Sequence, residues 1–503
     1  MQSLKDAAQK TLVAIEKARS TIEPTVSFQE VGKITAVSSE IVKAEGLSGV
    51  GFEELIEFPG NLFGFTFNVD EKDIGIALLG DGSHLRVGDE IKRTGRSIDV
   101  PVGEGLLGRV IDPLGRPLDG KEPVLYEARL PIERPAPAIM DRAPVEVPLS
   151  SGIKVIDALV PIGRGQRELI VGDRKTGKTA VVIDTILNQR DEKVICVYCA
   201  ICQRSSSVAK TIQLLQERGA MEYTIVVVTS GNDPPGMNYI APYAATSIAE
   251  YFMEKGKDVL IVYDDLLQHA REYRELSLLL KRPPGRSAFP GDIFYIHSRL
   301  LERATHLKDE LGGGSLTALP IIETQAQNIS EYIATNLISI TDGQIYLSPT
   351  LFELGILPAV DVNKSVSRVG GKAQLPAYRY AAGPLKLEYA QFSELEEFVR
   401  FGAHLEEEPL RIINHGRRIR ACLKQNESSP VPAFEQLCLL LALGARLFDT
   451  IALERMQKAE NTVYEVCKHF PSEMLESFKK TGKLTDKMKS TIIDTIERAL
   501  AGL

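Results

Sequence analysis

Residues 172–179 read Gly172-Asp173-Arg174-Lys175-Thr176-Gly177-Lys178-Thr179, directly after the apolar run 169–171 and just before Val182, Ile183, Ile186 and Leu187, which share one helical face. Strand, glycine-containing loop and helix in this order form the phosphate-loop pattern. A glycine-permitted turn and a helix amino terminus aim backbone N–H groups at a polyphosphate. Lys178 is spaced to reach the terminal phosphates, and Thr179 to offer its hydroxyl to Mg²⁺. The plain alternative is an accidental glycine-rich turn, and the flanking strand and helix argue against it.

Working outward, apolar runs of strand length at residues 194–201, 225–228, 259–263 and 319–322 alternate with helical segments. Continuously apolar strands separated by helices predict a mostly parallel sheet covered on both faces. Before this region, residues 28–96 carry short β-rich runs broken by Gly, Asn and Asp, which predicts a small β-barrel. Residues 99–147, rich in Pro and Gly, read as an extended entry to the nucleotide domain. After about residue 375 the strand pattern stops, and residues 392–405, 434–453 and 485–500 show helical spacing. Leu4, Ala8, Leu12 and Ile15 predict a short amphipathic arm. The expected division is a helical arm over 1–27, a barrel over 28–96, a phosphate-loop α/β domain over 97–374 and a helical domain over 375–503.

The whole chain of 503 residues, 44% hydrophobic and 25% charged, suits about three globular cores. Its net charge of −8 and lack of Trp argue against a nucleic-acid partner. Six scattered cysteines suit a reducing compartment. The longest strongly apolar stretch, residues 437–445, is far below the roughly 20 residues needed to span a bilayer. The opening residues lack a basic segment followed by an apolar run, so no signal peptide is expected.

Strand 259–263 ends in Asp264-Asp265. A carboxylate closing a strand beside a phosphate loop is suited to orienting Mg²⁺, and Asp264 is the expected one because it directly follows the apolar run. An Asp in this place can also be only a helix cap. Cys196, Cys199 and Cys202 have a cluster-like spacing but no fourth cysteine nearby, and on a strand Cys196 and Cys199 point to opposite faces. They are expected to be small core residues. Ser205-Ser206-Ser207 and the seven histidines form no catalytic triad or metal spacing. Where a hydrolytic domain of this build needs a carboxylate to polarise water, this chain carries Gln203. An amide can orient a water but cannot take its proton. The site is therefore expected to hold nucleotide without hydrolysing it, with a base elsewhere in the chain as the open alternative.

Together with Val100-Pro101-Val102-Gly103, Leu107-Gly108-Arg109-Val110 and residues 159–173 (LVPIGRGQRELIVGD), these motifs resemble the alpha subunits of F-type ATP synthases. Further stretches carry the likeness: Tyr263-Asp264-Asp265-Leu266, residues 277–286 (SLLLKRPPGR), 297–304 (HSRLLERA), 339–344 (SITDGQ) and 365–370 (SVSRVG). The resemblance covers residue 28 to the end. It implies a RecA-like nucleotide domain and a hexamer alternating with beta chains around a gamma shaft, with peripheral-stalk partners. The chain would lie on the cytoplasmic face of a bacterial membrane, reaching that membrane only through other subunits; an organelle-encoded equivalent is the less favoured setting. It implies bound ATP or ADP with Mg²⁺, held by residues 172–179 with Gln203, Asp264, Gln425 and Glu427. The metal would be held by Thr179, and by Asp264 through water. It also implies that Arg368 crosses to the nucleotide on beta, where a guanidinium supplied in trans stabilises the transferring phosphoryl group.

The chain departs from the family pattern at Lys175, where Gln is usual, at Cys202 (Gly), at Ala334 (Pro) and at Glu427, where the base-side pair is commonly two glutamines. Residues 1–27 match least. These departures suggest a divergent branch, such as a second synthase operon. Two other functions compete: a self-sufficient ring ATPase for protein export or RNA translocation, which would need the carboxylate that Gln203 replaces, and a purely structural nucleotide-binding scaffold.

Overall fold

The computed structural model describes residues 30–70, 73–400 and 407–502, without the side chains of 397–400. The arm expected over residues 1–27 lies outside the described residues. Strands β1 (Val31–Val37), β2 (Ile41–Glu45), β3 (Glu54–Phe58), β4 (Leu62–Val69), β5 (Ile74–Leu78) and β6 (Glu90–Ser97) pair antiparallel in the order β1-β2-β5-β4-β3-β6. Because β1 pairs with both β2 and β6, the barrel closes. Closure removes the exposed edges of an open sheet. Alternation along the strands sends Ile56, Ile76 and Leu78 into the barrel interior. Leu55, Phe65 and Ala77 instead join the core beneath the central sheet.

The proline- and glycine-rich entry does more than connect. Its strand β7 (Asp99–Val102) pairs with β9 (Ala128–Pro131), while β8 (Val110–Ile111) lies parallel to a strand of the central sheet and forms that sheet's edge. Asp112 makes this possible by accepting the N–H groups of Leu114 and Arg116 at 2.9 and 2.8 Å, which turns the chain just after β8. A short hairpin of β10 (Pro148–Leu149) and β11 (Ile162–Gly163) leads into the main strands.

The central sheet is built from β12 (Glu168–Asp173), β13 (Ile195–Gln203), β14 (Thr224–Ser230), β15 (Asp258–Asp264), β16 (Ser315–Thr324), β17 (Gly343–Leu347) and β18 (Val366–Ser367). With β8 the order is β18-β17-β12-β16-β15-β13-β14-β8, and every pairing is parallel except that of β17 with β18. Strict alternation explains the continuous apolar runs, because both faces are buried. Cys196, Tyr198 and Ala200 enter the core shared with the carboxy-terminal helices, and Val197, Cys199 and Ile201 enter the core shared with the barrel.

Among the described residues, six α-helices follow: Pro376–Arg400, Glu407–Leu423, Ala433–Gly444, Met456–Cys467, Ser472–Thr481 and Asp486–Leu500. The helical spacing expected over 434–453 stops at Gly444, after which Arg446 takes a φ of +59°. Arg418 donates to the carbonyls of Phe448 and Ile451, satisfying the turn that replaces the helix. Gly416 lets its helix press on Phe392, where an added Cβ would stand 2.1 Å from the ring. Among the described residues, no helix is long and apolar enough to cross a membrane.

Among the described residues, two fully buried ion pairs tie segments of the fold together. Lys154 meets Glu460 of the helical domain. Arg303, fully buried, grips Glu250 with two bonds of 2.7 Å and also donates to Ile132 O and Ser247 Oγ. Removing one partner of such a pair under-compensates the other charge, although Arg134 Nη1 still reaches Glu250 Oε2 at 3.0 Å. Replacing Arg303→Met should lower unfolding free energy by about 3–5 kcal/mol. The double change with Glu250→Leu should recover part of that loss in thermal unfolding, whereas equal or greater loss would show that the pair is not the source of the penalty.

Candidate functional site

The phosphate loop begins where β12 ends and the backbone reverses. Lys175 takes a φ of +60° and Gly177 one of +90°, and Gly177 caps the helix Lys178–Glu192 with no atom within 4 Å of where a Cβ would sit. The loop's interior is tied together through the Asp173 carbonyl, which accepts from Thr176 Oγ1 at 2.9 Å and from Lys178 Nζ at 2.5 Å. The Asp173 carboxylate accepts from Thr324 Oγ1 at 2.7 Å and from the Gln327 N–H at 2.9 Å, fastening the loop to the end of β16. Burial pushes the Lys178 amine down, against the pull of Glu323, Asp265, Asp264 and Asp173.

Next to it the carboxyl ends of β13 and β15 meet the loop. Asp264 Oδ2 accepts from Thr179 Oγ1 at 3.1 Å and from the Tyr198 hydroxyl at 2.7 Å. Gln203 Nε2 lies 3.3 Å from both Asp264 Oδ1 and its carbonyl. The structure thus brings Thr179, Gln203 and Asp264 together. A hydroxyl beside a carboxylate is a hard-oxygen pair of the kind that suits Mg²⁺. Burial raises the Asp264 carboxyl above its usual range, and a cation there would favour its charged form. Asp265 has a different task, capping the helix Leu266–Leu279 through Gln268 N–H at 2.8 Å. Burial, and then the Asp264 charge, push it up to about 7. Beyond the loop, Arg174, Lys175, Gln203, Arg204, Asp265 and Arg271 line part of a cavity of about 620 Å³. Arg174 is exposed and paired with Glu323 at 2.7 Å, and Lys175 is exposed on the cavity wall.

In the other direction along the helix, Ile153, Val181, Leu357 and Pro358 line an apolar slot with Gln425 and Glu427 at its rim. The Gln425 amide is already engaged: Oε1 accepts from Lys154 N–H at 3.0 Å, and Nε2 donates to Gly152 O and Ser429 O at 2.8 Å each. Glu427 is exposed, with its carboxylate free of such ties.

Arg368 is not part of this assembly. β18 runs antiparallel to β17, and Gly343, opposite Ser367, is also opposite Glu168 at the start of β12. Arg368 is therefore exposed at the amino ends of the parallel strands, with its N–H on Asp342 O and Nη2 3.2 Å from Ile338 O. Six residues of β12 at about 3.3 Å each put roughly 20 Å between it and the phosphate loop.

A family profile described as the ATP synthase alpha/beta family, nucleotide-binding domain, matches residues 152–367. Another, described as the ATP synthase alpha/beta chain, C terminal domain, matches residues 374–499. The chain is 66% identical over 500 residues to ATP synthase subunit alpha 2 of Albidiferax ferrireducens, covering 99% of this chain and 94% of that one. It is 64% identical to ATP synthase subunit alpha 1 of Shewanella frigidimarina, with 98% and 95% covered. The chain belongs to the ATP synthase alpha-subunit family. It is also 65% identical to ATP synthase subunit alpha 2 of Polaromonas naphthalenivorans, with 99% and 96% covered.

Several residues at this alpha-family site carry little signal in the sequence. Tyr198 is hidden in an apolar run, and only the sheet register places its hydroxyl on Asp264. Asp184 had a readable sign, as a charge amid the buried Val181, Val182, Ile183 and Ile186, but not a readable partner: it accepts Ser428 N–H from the distant helical domain at 2.8 Å. Burial, then the Glu427 charge, push Asp184 up to about 6. Cys202 departs from the expected core role of the three cysteines. Cys196 and Cys199 are buried, but Cys202 is half-buried on the cavity wall with a φ of +52°, because the β13 register breaks between Ala200 and Gln203. A left-handed backbone there fits the family's usual glycine.

The folded chain holds the Asp265 proton up to about pH 7, whereas an unfolded chain releases it near 3.8. Its ionisation therefore removes stability as pH rises from about 4 through 7. Asp265→Asn keeps a helix cap and should match the parent near pH 4 but exceed it at pH 8 by about 1–4 kcal/mol. Denaturant unfolding at both pH values checks this, and equal pH slopes in the two proteins would refute it.

Proposed function

We propose that the chain is the non-catalytic, nucleotide-holding alpha subunit of a rotary, ion-translocating ATP synthase. It alternates with beta in a hexamer around a gamma shaft and meets peripheral-stalk subunits. Its place is the cytoplasmic face of a bacterial membrane, which it reaches only through other subunits. The numbered copies among its relatives support a second-operon origin. The proposed division is an arm to residue 27, a barrel to 96, a nucleotide domain to 374 and a helical domain beyond.

One observation carries the reading: the chain's phosphate loop and its exposed Arg368 occupy opposite edges of one sheet. A guanidinium roughly 20 Å from the chain's own phosphate site can act on phosphate only at a neighbour's. Arg368 also lies near the buried Glu168 carboxyl, and its charge opposes the burial that raises that group. Residues 172–179 would hold the phosphates, with Lys178 on the terminal ones. Thr179 would bind Mg²⁺ directly and Asp264 through water; the cation supplies charge neutralisation to the polyphosphate. Gln203 would orient a water without accepting its proton, so turnover at this site stays low.

The isolated chain should bind Mg-ATP with almost no hydrolysis, and mixing with beta and gamma should restore ATPase. Substantial ATPase from the chain alone would favour a self-sufficient ring motor. Arg368→Ala should lower ATPase of the assembled complex by roughly 10³-fold or more while leaving nucleotide affinity of the isolated chain nearly unchanged. Weakened binding by the isolated chain would instead assign Arg368 to its own site.

A further inference from the structure

The slot beside the first turns of the phosphate-loop helix is a hydrophobic cleft whose polar rim is dominated by acceptors. Its lining includes Ile153, Val181, Leu357 and Pro358, apolar groups of the kind a flat base packs against. Asp184 and Glu427 bring carboxylates to it, and Asn426 brings an amide. Gln425, the other amide at the rim, has both Nε2 hydrogens on the carbonyls of Gly152 and Ser429 and its oxygen on Lys154 N–H. It therefore fixes the turn. Asp184 helps hold the same turn through Ser428 N–H. Glu427 is left on that turn as the exposed, unengaged reading group.

An ionised carboxylate only accepts hydrogen bonds, whereas a glutamine amide both donates and accepts. Adenine's pairing edge offers one donor, the N6 amine, next to the N1 acceptor. Guanine's offers two adjacent donors, N1–H and the N2 amine, next to the O6 acceptor. A carboxylate can take both guanine donors at once, but its lone pairs oppose adenine N1. We infer that Glu427 makes this slot select purines with two adjacent donors, so that the site binds guanine nucleotides at least as tightly as adenine nucleotides. Asn426 offers an amide donor to the neighbouring O6. The inference rests on the reading above that residues 172–179 hold the phosphates, and it concerns only which base accompanies them.

The test is equilibrium dialysis of the full-length chain at pH 8 with Mg²⁺ and labelled ATP, GTP or ITP, where ITP keeps N1–H and O6 but lacks the N2 amine. GTP should bind at least as tightly as ATP, and ITP should be weaker than GTP by about threefold to tenfold for want of one hydrogen bond. Glu427→Gln should shift the GTP-to-ATP affinity ratio toward ATP by on the order of tenfold. Glu427→Ala should lose the GTP preference without creating one for ATP. Glu427 is exposed, so both variants should keep the parent's thermal midpoint. GTP binding weaker than ATP, or a ratio that Glu427→Gln leaves unmoved, would overturn the inference while preserving the nucleotide-site reading. Failure to bind any of the three triphosphates would overturn both.

Discussion

The parallel pairing of β12, β16, β15 and β13 is the constraint on which the rest depends. Once two buried faces force these strands to run together, all their carboxyl ends fall on one edge. That single fact assembles residues remote in sequence: Asp173 from β12, Thr324 from β16, Asp264 from β15 and Gln203 from β13. It also sends Arg368 to the other edge, because the last short strand returns antiparallel. The phosphate loop and Arg368 are thus separated by the length of a strand.

The two sheet faces have different neighbours. One shares its core with the carboxy-terminal helices and the other with the barrel. Alternation along a single strand such as β13 therefore ties three structural layers together. Polar contacts reinforce the helical side at the site itself: Lys154 N–H on Gln425, and Asp184 with Ser428 N–H, join the nucleotide domain to the turn that rims the apolar slot. The slot is consequently a property of two domains, and its geometry depends on how they are held.

Much of this was legible beforehand where local chemistry dictates structure. The residues 172–179 can only make their turn with Gly177 in a left-handed conformation, and the apolar runs of four to eight residues demanded burial on both faces. Gln203 could be read as an amide, which lacks the basicity of a carboxylate wherever it lies. Less legible were the strand ends and the entry segment, where β8 joins the sheet by a two-residue pairing too short to leave a pattern. Cys202 looked like its two neighbours until the register break in β13 gave it a half-exposed, left-handed backbone.

The sequence by itself determined the phosphate loop, the layered α/β core, the barrel before it and the helices after it, because each follows from spacing and side-chain type within a short window. Tertiary structure alone decided which groups meet. It gave Asp264 the hydroxyls of Thr179 and Tyr198, and engaged Gln425 with backbone of the nucleotide domain while leaving Glu427 open. Pairings across some 60 to 270 residues depend on strand register and domain packing, which no local pattern encodes.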